Sequence, residues 1–190
     1  MILIIDTSSA IAALATIEDD GMMNQEFVSA RAPELRIRLR ELARGHPVTK
    51  VAVATGPGSF TGLRVGVSFG LGLAIGLRVP IVPLPTLELQ AARSDDPVTA
   101  VSDAGRGRFY YLVPGRKPAL GEPVDIPTAH ALVGQVGDRQ ASLIAAGHRF
   151  QPDAELRPFV QAAAKMLETA SEVAYGSLEI EYMQAFSAKA

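Results

Sequence analysis

The chain has no cysteine and no tryptophan. Without cysteine there is no disulfide, no thiolate zinc site and no cysteine nucleophile. Histidine is scarce too: His46, His130 and His148 are scattered, none at i, i+4 from another and none beside a pair of carboxylates. No metal site and no serine–histidine arrangement follows from such a set. The formal net charge is -2, so no bulk attraction to nucleic acid is expected. The longest uncharged apolar stretch, Val65 to Leu77 between Arg64 and Arg78, falls short of the ~20 residues of a membrane span. The N-terminus reads Met1-Ile2-Leu3-Ile4-Ile5-Asp6, with no basic region before its apolar run, which suits a buried strand rather than a signal peptide. The expectation is a cytoplasmic protein that does not engage a membrane.

What is present is a regular alternation of elements. Ile2 to Ile5 is a buried strand, and Ala10 to Ile17 and Met22 to Val28 are two more. Asp19-Asp20-Gly21 is turn chemistry that pairs the latter two as a hairpin. Pro33 opens a helix through Arg44 with Leu35, Leu39 and Leu42 on one face. Then come a strand at Val51 to Ala54, a long helix from Gly62 to Leu77, a strand from Ile81 and a helix from Thr86. Beyond Asp95-Asp96-Pro97, strands are expected at Val98 to Ser102, Phe109 to Val113 and Ser142 to Ala146. Helices are expected at Thr128 to Val136 and Leu156 to Val173, with an irregular tail. The order β-β-β-α-β-α-β-α is that of one lobe of the actin/hexokinase-like (ASKHA) α/β fold, in which mixed sheets carry an antiparallel edge. The expected division is a first lobe over 1–95, a reduced second lobe over 96–154, and a C-terminal helix and tail over 155–190 that packs back across the lobes.

Two segments carry candidate chemistry. Asp6-Thr7-Ser8 ends a buried strand with an acid and hydroxyls; it faces either a phosphate or metal, or simply forms a turn on its own amides. The run Gly56-Pro57-Gly58-Ser59-Phe60-Thr61-Gly62-Leu63-Arg64-Val65-Gly66 joins a strand to a helix N-terminus, where an anion can be held. It is not a Walker A loop, because Gly62 is followed by Leu63 rather than lysine. A phosphate cradle and a tight turn both remain open. Asp6, Thr7, Ser8, Gly56 and Gly58 are the candidate nucleotide or phosphate vicinity.

The helix after this loop is unusual. Gly62, Gly66 and Gly70 share one row, and Gly72 and Gly76 an adjacent one. Each glycine costs roughly 1 kcal/mol relative to alanine, so close approach of another backbone is the expected compensation. Val67, Leu71 and Ile75 make the opposite side apolar as well. A helix apolar all round should be covered all round, either by a protein partner or by the rest of this chain. Leu35, Leu39, Gly62, Arg64, Gly66 and Gly70 are the candidate partner interface. Arg36, Arg40 and Arg44, with Arg38 nearby, read as a solvated helix face rather than an RNA contact.

The runs Ile4-Ile5-Asp6-Thr7-Ser8, Ala54 to Gly66 and Val79-Pro80-Ile81-Val82-Pro83-Leu84-Pro85-Thr86-Leu87 closely resemble the TsaB (YeaZ) family. The resemblance covers about residues 1–93 and continues faintly through Val101-Ser102-Asp103-Ala104. The chain departs from the family at three places. Ala32-Pro33-Glu34 stands where the family often has His-Ser-Glu, Gly105 stands in place of an arginine, and the tail Glu179 to Gln184 lacks the usual proline and arginine. The catalytic relative TsaD has a similar helix and strand followed by a metal-binding pair of histidines. Laid on this chain, the pair falls at Thr86 and Gln90, neither of which supplies an imidazole. The resemblance therefore implies a pseudoenzyme with no catalytic residue and no metal of its own. It also implies no intrinsic cofactor, with ATP or ADP bound only in a complex. The implied partners are TsaD, as a heterodimer, and the ATPase TsaE, with tRNA approached only indirectly and self-association when the chain is free. The reaction implied is threonylcarbamoyl transfer to adenosine in tRNA. An ASKHA-type ATPase or kinase and a glycoprotease-like metallopeptidase are the alternatives.

Overall fold

The computed structural model describes residues 1–30, 33–45 and 47–183; within the first helix the side chains of residues 33, 34, 36 and 43–45 are not described. His46 and the side chains of Arg36 and Arg44 thus lie outside the described residues.

The first half folds in the expected order: β1 (Ile2–Asp6), β2 (Ile11–Ile17), β3 (Met23–Ser29), α1 (Pro33–Gly45), β4 (Lys50–Gly56), α2 (Phe60–Leu77), β5 (Ile81–Pro85) and α3 (Thr86–Ala91). The strands form one sheet in the order β3-β2-β1-β4-β5. The β1–β2 and β2–β3 pairs are antiparallel, and β1–β4 and β4–β5 are parallel. Burial on both faces explains why the sequences of β1, β4 and β5 are mostly apolar. Leu3, Ile5, Val51, Val53 and Ile81 face one side, where they meet Leu35 and Leu39 of α1 and Val67 and Ala74 of α2. Ile4, Ala13, Ala15, Ala52, Val82 and Leu84 face the other, where they meet Phe159, Val160, Ala162 and Ala163 of α5 (Phe159–Leu167). Both faces are covered over the central strands, whereas the edge strand β3 is largely exposed and carries Asn24, Gln25 and Glu26.

The second half builds a smaller sheet in the order β8-β7-β6-β9 from β6 (Thr99–Gly105), β7 (Arg108–Leu112), β8 (Ala119–Gly121) and β9 (Leu132–Val133). Its core is Val101, Phe109, Ile126, Leu132, Val136 and Leu143. Two expectations fail here. Thr128 to Val136 is not a helix: only Leu132–Val133 is regular, and it pairs in parallel with β6. Ser142 to Ala146 is not a strand: it lies in α4 (Gln140–Ala145), which buries Leu143. The C-terminal helix is also shorter than Leu156 to Val173, because Pro158 caps its start and the chain turns after Leu167.

Helix α2, with 18 residues and a mean hydropathy of 1.5, has a length and composition that would by themselves suit a membrane span. Leu63, Gly66, Val67, Gly70 and Ala74 bury one side of it against the sheet. Its other faces bear on function.

Candidate functional site

Strands β1 and β4 lie side by side and end together, so Asp6 and Gly56 leave the sheet at the same end. The two following loops meet. Asp6 accepts a hydrogen bond from the Ser8 amide through Oδ1 at 2.8 Å. The Thr7 hydroxyl donates to the Gly62 carbonyl at 2.7 Å. The Ser59 amide donates to the Ser8 carbonyl at 2.6 Å. Asp6 is 5% exposed. Burial pushes its carboxyl above the ordinary carboxylate range, and the hydrogen bonds with Ser8 work in the opposite direction.

The glycines of the loop are accounted for by this contact. A Cβ on Gly58 would stand 2.6 Å from the Ser8 carbonyl oxygen, and one on Gly62 would overlap the Thr7 carbonyl. One on Gly56, where φ is +110°, would stand 2.7 Å from the Glu181 carbonyl. Three glycines thus admit two segments of the chain's own backbone, Thr7-Ser8 and Glu181. The nearby amides are also engaged: Ser59 to Ser8, Gly62 to the Ser59 hydroxyl at 3.3 Å, and Leu63 to the Ser59 carbonyl at 2.8 Å. A phosphate held here would have to displace Thr7 and Ser8, so these residues do not fit a nucleotide cradle as they stand.

Thr86 and Gln90 share a face of α3, and both are buried, at 1% and 6% exposure. The Thr86 hydroxyl accepts from the Gly56 amide at 3.1 Å, which ties α3 to the glycine loop. Among the described residues Gln90 Oε1 has no hydrogen-bond partner. A hydroxyl and an amide are poor donors to a transition metal beside the imidazoles such sites use. Among the described residues no group of three His, Asp or Glu side chains is placed to hold a metal ion. His148 is buried in the second lobe, where its Nε2 donates to the Pro123 carbonyl at 2.8 Å. Two shallow concavities of about 310 and 390 Å³ flank Asp96 to Val98, and neither is lined by Asp6 or the glycine loop.

The interface candidates separate into two groups. Leu35 and Leu39 are 3% and 1% exposed and belong to the core. Gly66 and Gly70 are buried in the same layer: a Cβ at Gly66 would overlap the Thr7 hydroxyl, and one at Gly70 would overlap Val53. These four residues therefore face the chain's own sheet, and the first glycine row packs a helix onto strands rather than onto a partner. Gly62 is half-buried against Thr7, and Arg64 is exposed. The second glycine row faces outward: among the described residues nothing stands within 4 Å of a Cβ at either Gly72 or Gly76. Val65 at 44% and Ile75 at 50% exposure flank it, with Ser68 exposed as well, and Leu77, 46% exposed, is the last residue of the helix on another face. On α1, Ile37 is 53% exposed. Arg38 pairs with Glu41 at 3.0 Å and Glu26 at 3.8 Å, and Arg40 is exposed, as a solvated face requires.

One participant gave no local signal in the sequence. The tail after α5 returns to this region: the Glu181 amide donates to the Thr55 carbonyl at 2.8 Å, and Tyr182 accepts from Arg64 Nε at 3.1 Å.

Comparison with known proteins agrees with this geometry. Residues 43–182 match the family model described as TsaD, tRNA N6-adenosine threonylcarbamoyltransferase. The tRNA threonylcarbamoyladenosine biosynthesis protein TsaB of Bacillus subtilis (strain 168) is 33% identical over 120 residues, 57% of this chain and 52% of that protein. TsaB of Escherichia coli (strain K12) is 32% identical over 123 residues, 58% of this chain and 53% of the relative. The chain thus spans about half the length of the curated relatives it matches. The structure of YeaZ from Pseudomonas aeruginosa superposes with a TM-score of 0.72 at 22% identity, over 95% of this chain and 99% of that one, which fixes the fold as ASKHA-like α/β.

Proposed function

Because the chain belongs to the TsaD family and to its TsaB (YeaZ) branch, we propose that it is a non-catalytic subunit of the machinery that transfers threonylcarbamoyl to adenosine in tRNA. In this reading it acts in the cytoplasm beside a TsaD-type transferase and the ATPase TsaE, and touches tRNA only through them. Residues 1–95 and 96–154 are its two lobes, and the segment from 155 to 183 packs back onto them. The observation that carries the reading is the glycine loop filled by the chain's own Thr7, Ser8 and Glu181. A loop so filled serves packing. The buried Thr86 and Gln90, where the resemblance to TsaD calls for metal-binding histidines, point the same way.

The docking surface in this proposal is the outward row of α2, Ser68, Gly72 and Gly76, with Val65 and Ile75 beside it. Exposed apolar side chains grouped on one helix mark an interaction site. Small residues at i, i+4 and i+8 let a partner helix approach closely. The same face serves self-association when the transferase is absent. The test is metal analysis and nucleotide turnover on the purified chain, together with co-purification of the transferase. No stoichiometric metal, no turnover and a one-to-one complex are expected. Stoichiometric metal, or turnover that survives rigorous purification, would return the chain to the enzyme class.

A further inference from the structure

Helix α2 is capped by Ser59 at its start and by Arg78 in the left-handed conformation at its end, but its interior composition does little to hold it. It holds five glycines, no acidic residue in its first turn and no basic residue in its last. Helix propensity and the macrodipole both work against it. Its sheet-facing side is packed, yet both ends are held by one other segment, the tail that follows α5. Val173 donates its amide to the Ile81 carbonyl at 3.0 Å and so adds a single antiparallel bridge to β5. Tyr175 directs its hydroxyl at the carbonyls of Val79, 2.9 Å away, and Ala74, 3.2 Å away, at the C-terminal end of α2. The Ala74 carbonyl also accepts from the Val79 amide at 3.0 Å, so Tyr175 reinforces a helix end already closed by backbone bonds.

From there Leu178 and Ile180 pack against the α1–α2 core layer. Glu181 bonds to Thr55 and lies over Gly56. Tyr182 then reaches the first turns of α2. Its ring lies 5.2 Å from the Phe60 ring, and its hydroxyl accepts from Arg64. The Arg64 guanidinium in turn sits 3.5 Å above Phe60. Met183 continues onto Leu87, Ala100 and Tyr110 at the root of the second sheet. The lengths agree: seven residues of extended chain reach up to roughly 23 Å, while the helix between Arg64 and Ala74 rises roughly 15 Å.

We infer that residues 173–183 form a strap that braces α2 along its length, with Tyr182 on Arg64 and Phe60 as its latch, and so holds the docking face in shape for the partner. The inference rests on the docking surface proposed above for its partner, but not for its effect on α2. Through Met183 the strap also links the docking helix to the second lobe. Tyr175 and Tyr182 are positioning residues: they touch the helix, not the partner.

The test uses the full chain with Tyr182→Ala, Tyr182→Phe and Tyr175→Phe. Hydrogen exchange is read peptide by peptide across 60–77, and binding to the TsaD-type transferase is titrated. Tyr182→Ala should speed exchange in the first turns of α2, leave β1 and β4 protected, and weaken binding roughly tenfold, the size of the cation–π contact that Arg64 makes with the Tyr182 ring, 5.7 Å from its centroid, plus one hydrogen bond. Tyr182→Phe keeps the ring and should recover most of both effects, whereas Tyr175→Phe should loosen only the C-terminal turns. Unchanged exchange in α2 for Tyr182→Ala would overturn the strap. Lost binding with unchanged exchange would overturn it too, because Tyr182 would then touch the partner directly. If the wild-type chain does not bind the transferase at all, the proposed function fails, and faster exchange in Tyr182→Ala would still establish the strap.

Discussion

The two glycine rows of α2 should respond oppositely to the same substitution. At Gly70 a Cβ already overlaps Val53 Cγ1. Gly70→Leu forces a whole side chain between helix and sheet, and overpacking of this kind costs about 1–3 kcal/mol or more. The gain in helix propensity returns at most about 1 kcal/mol of that. At Gly72 and Gly76 a Cβ meets nothing within 4 Å. Leucine there carries no packing penalty in the free chain and gains up to about 1 kcal/mol of propensity, or roughly 2–4 °C in melting temperature for a chain of this size. The same leucine stands in the path of a helix docking on that face, so binding to the transferase should weaken about ten- to a hundredfold, as a wedge of about 1–3 kcal/mol implies. Thermal melting by circular dichroism and a binding titration read both quantities on the same samples. Gly70→Leu should lower the melting temperature, while Gly72→Leu should raise it and lose the partner. A Gly72→Leu variant that melts normally and binds undiminished would remove the outward row from the interface. A Gly70→Leu variant that melts normally would refute the packing argument.

Two further outcomes follow from the buried residues. The folded-state pKa of Asp6 lies above its unfolded value of 3.8. Its favourable contribution to stability is therefore complete below that value and is lost as pH rises through the folded pKa. Asp6→Asn keeps an acceptor for the Ser8 amide and removes the charge. The variant should melt above the wild type at neutral pH, and the two should converge at or below pH 3.8; a lower melting temperature at neutral pH would mean the ionised carboxylate is stabilised by a partner. Leu39→Ala should cost about 2–5 kcal/mol in denaturant unfolding, because the side chain is fully buried in the core. The folded fraction should retain full affinity for the transferase, and a selective loss of affinity would restore Leu39 to the interface.

Much of this fold is legible in the residues. The apolar runs of β1 and β4 announce a sheet covered on both faces, and the Asp19-Asp20-Gly21 turn sets the β2–β3 hairpin. The glycine rows of α2 could be assigned to rows, but not to a direction. Helical periodicity says which residues share a face and is silent on what that face meets, and both sides of this helix are apolar. Only the sheet contacts show that Gly66 and Gly70 point inward. The second lobe misled for another reason. Ser142-Leu143-Ile144-Ala145 is a short apolar run that suits a strand or a buried helix turn equally, and burial of Leu143 in α4 decides it. The loop at Gly56 has the composition of a phosphate cradle, because the same freedom that admits a phosphate admits a neighbouring carbonyl. A tail packing back across the lobes is an expectation of the sequence, but its particular contacts are not, since Arg64 and Val79 lie more than ninety residues from their tyrosine partners in the chain.

The account's central claim is that this chain supports the transfer without performing it. The direct measurement is threonylcarbamoyl transfer to tRNA, with the TsaD-type transferase, TsaE and this chain each supplied or withheld. The account predicts no transfer by this chain alone, and full transfer only when it is added to the other two. Transfer catalysed by the purified chain alone, or a full rate from the other two without it, would contradict the claim.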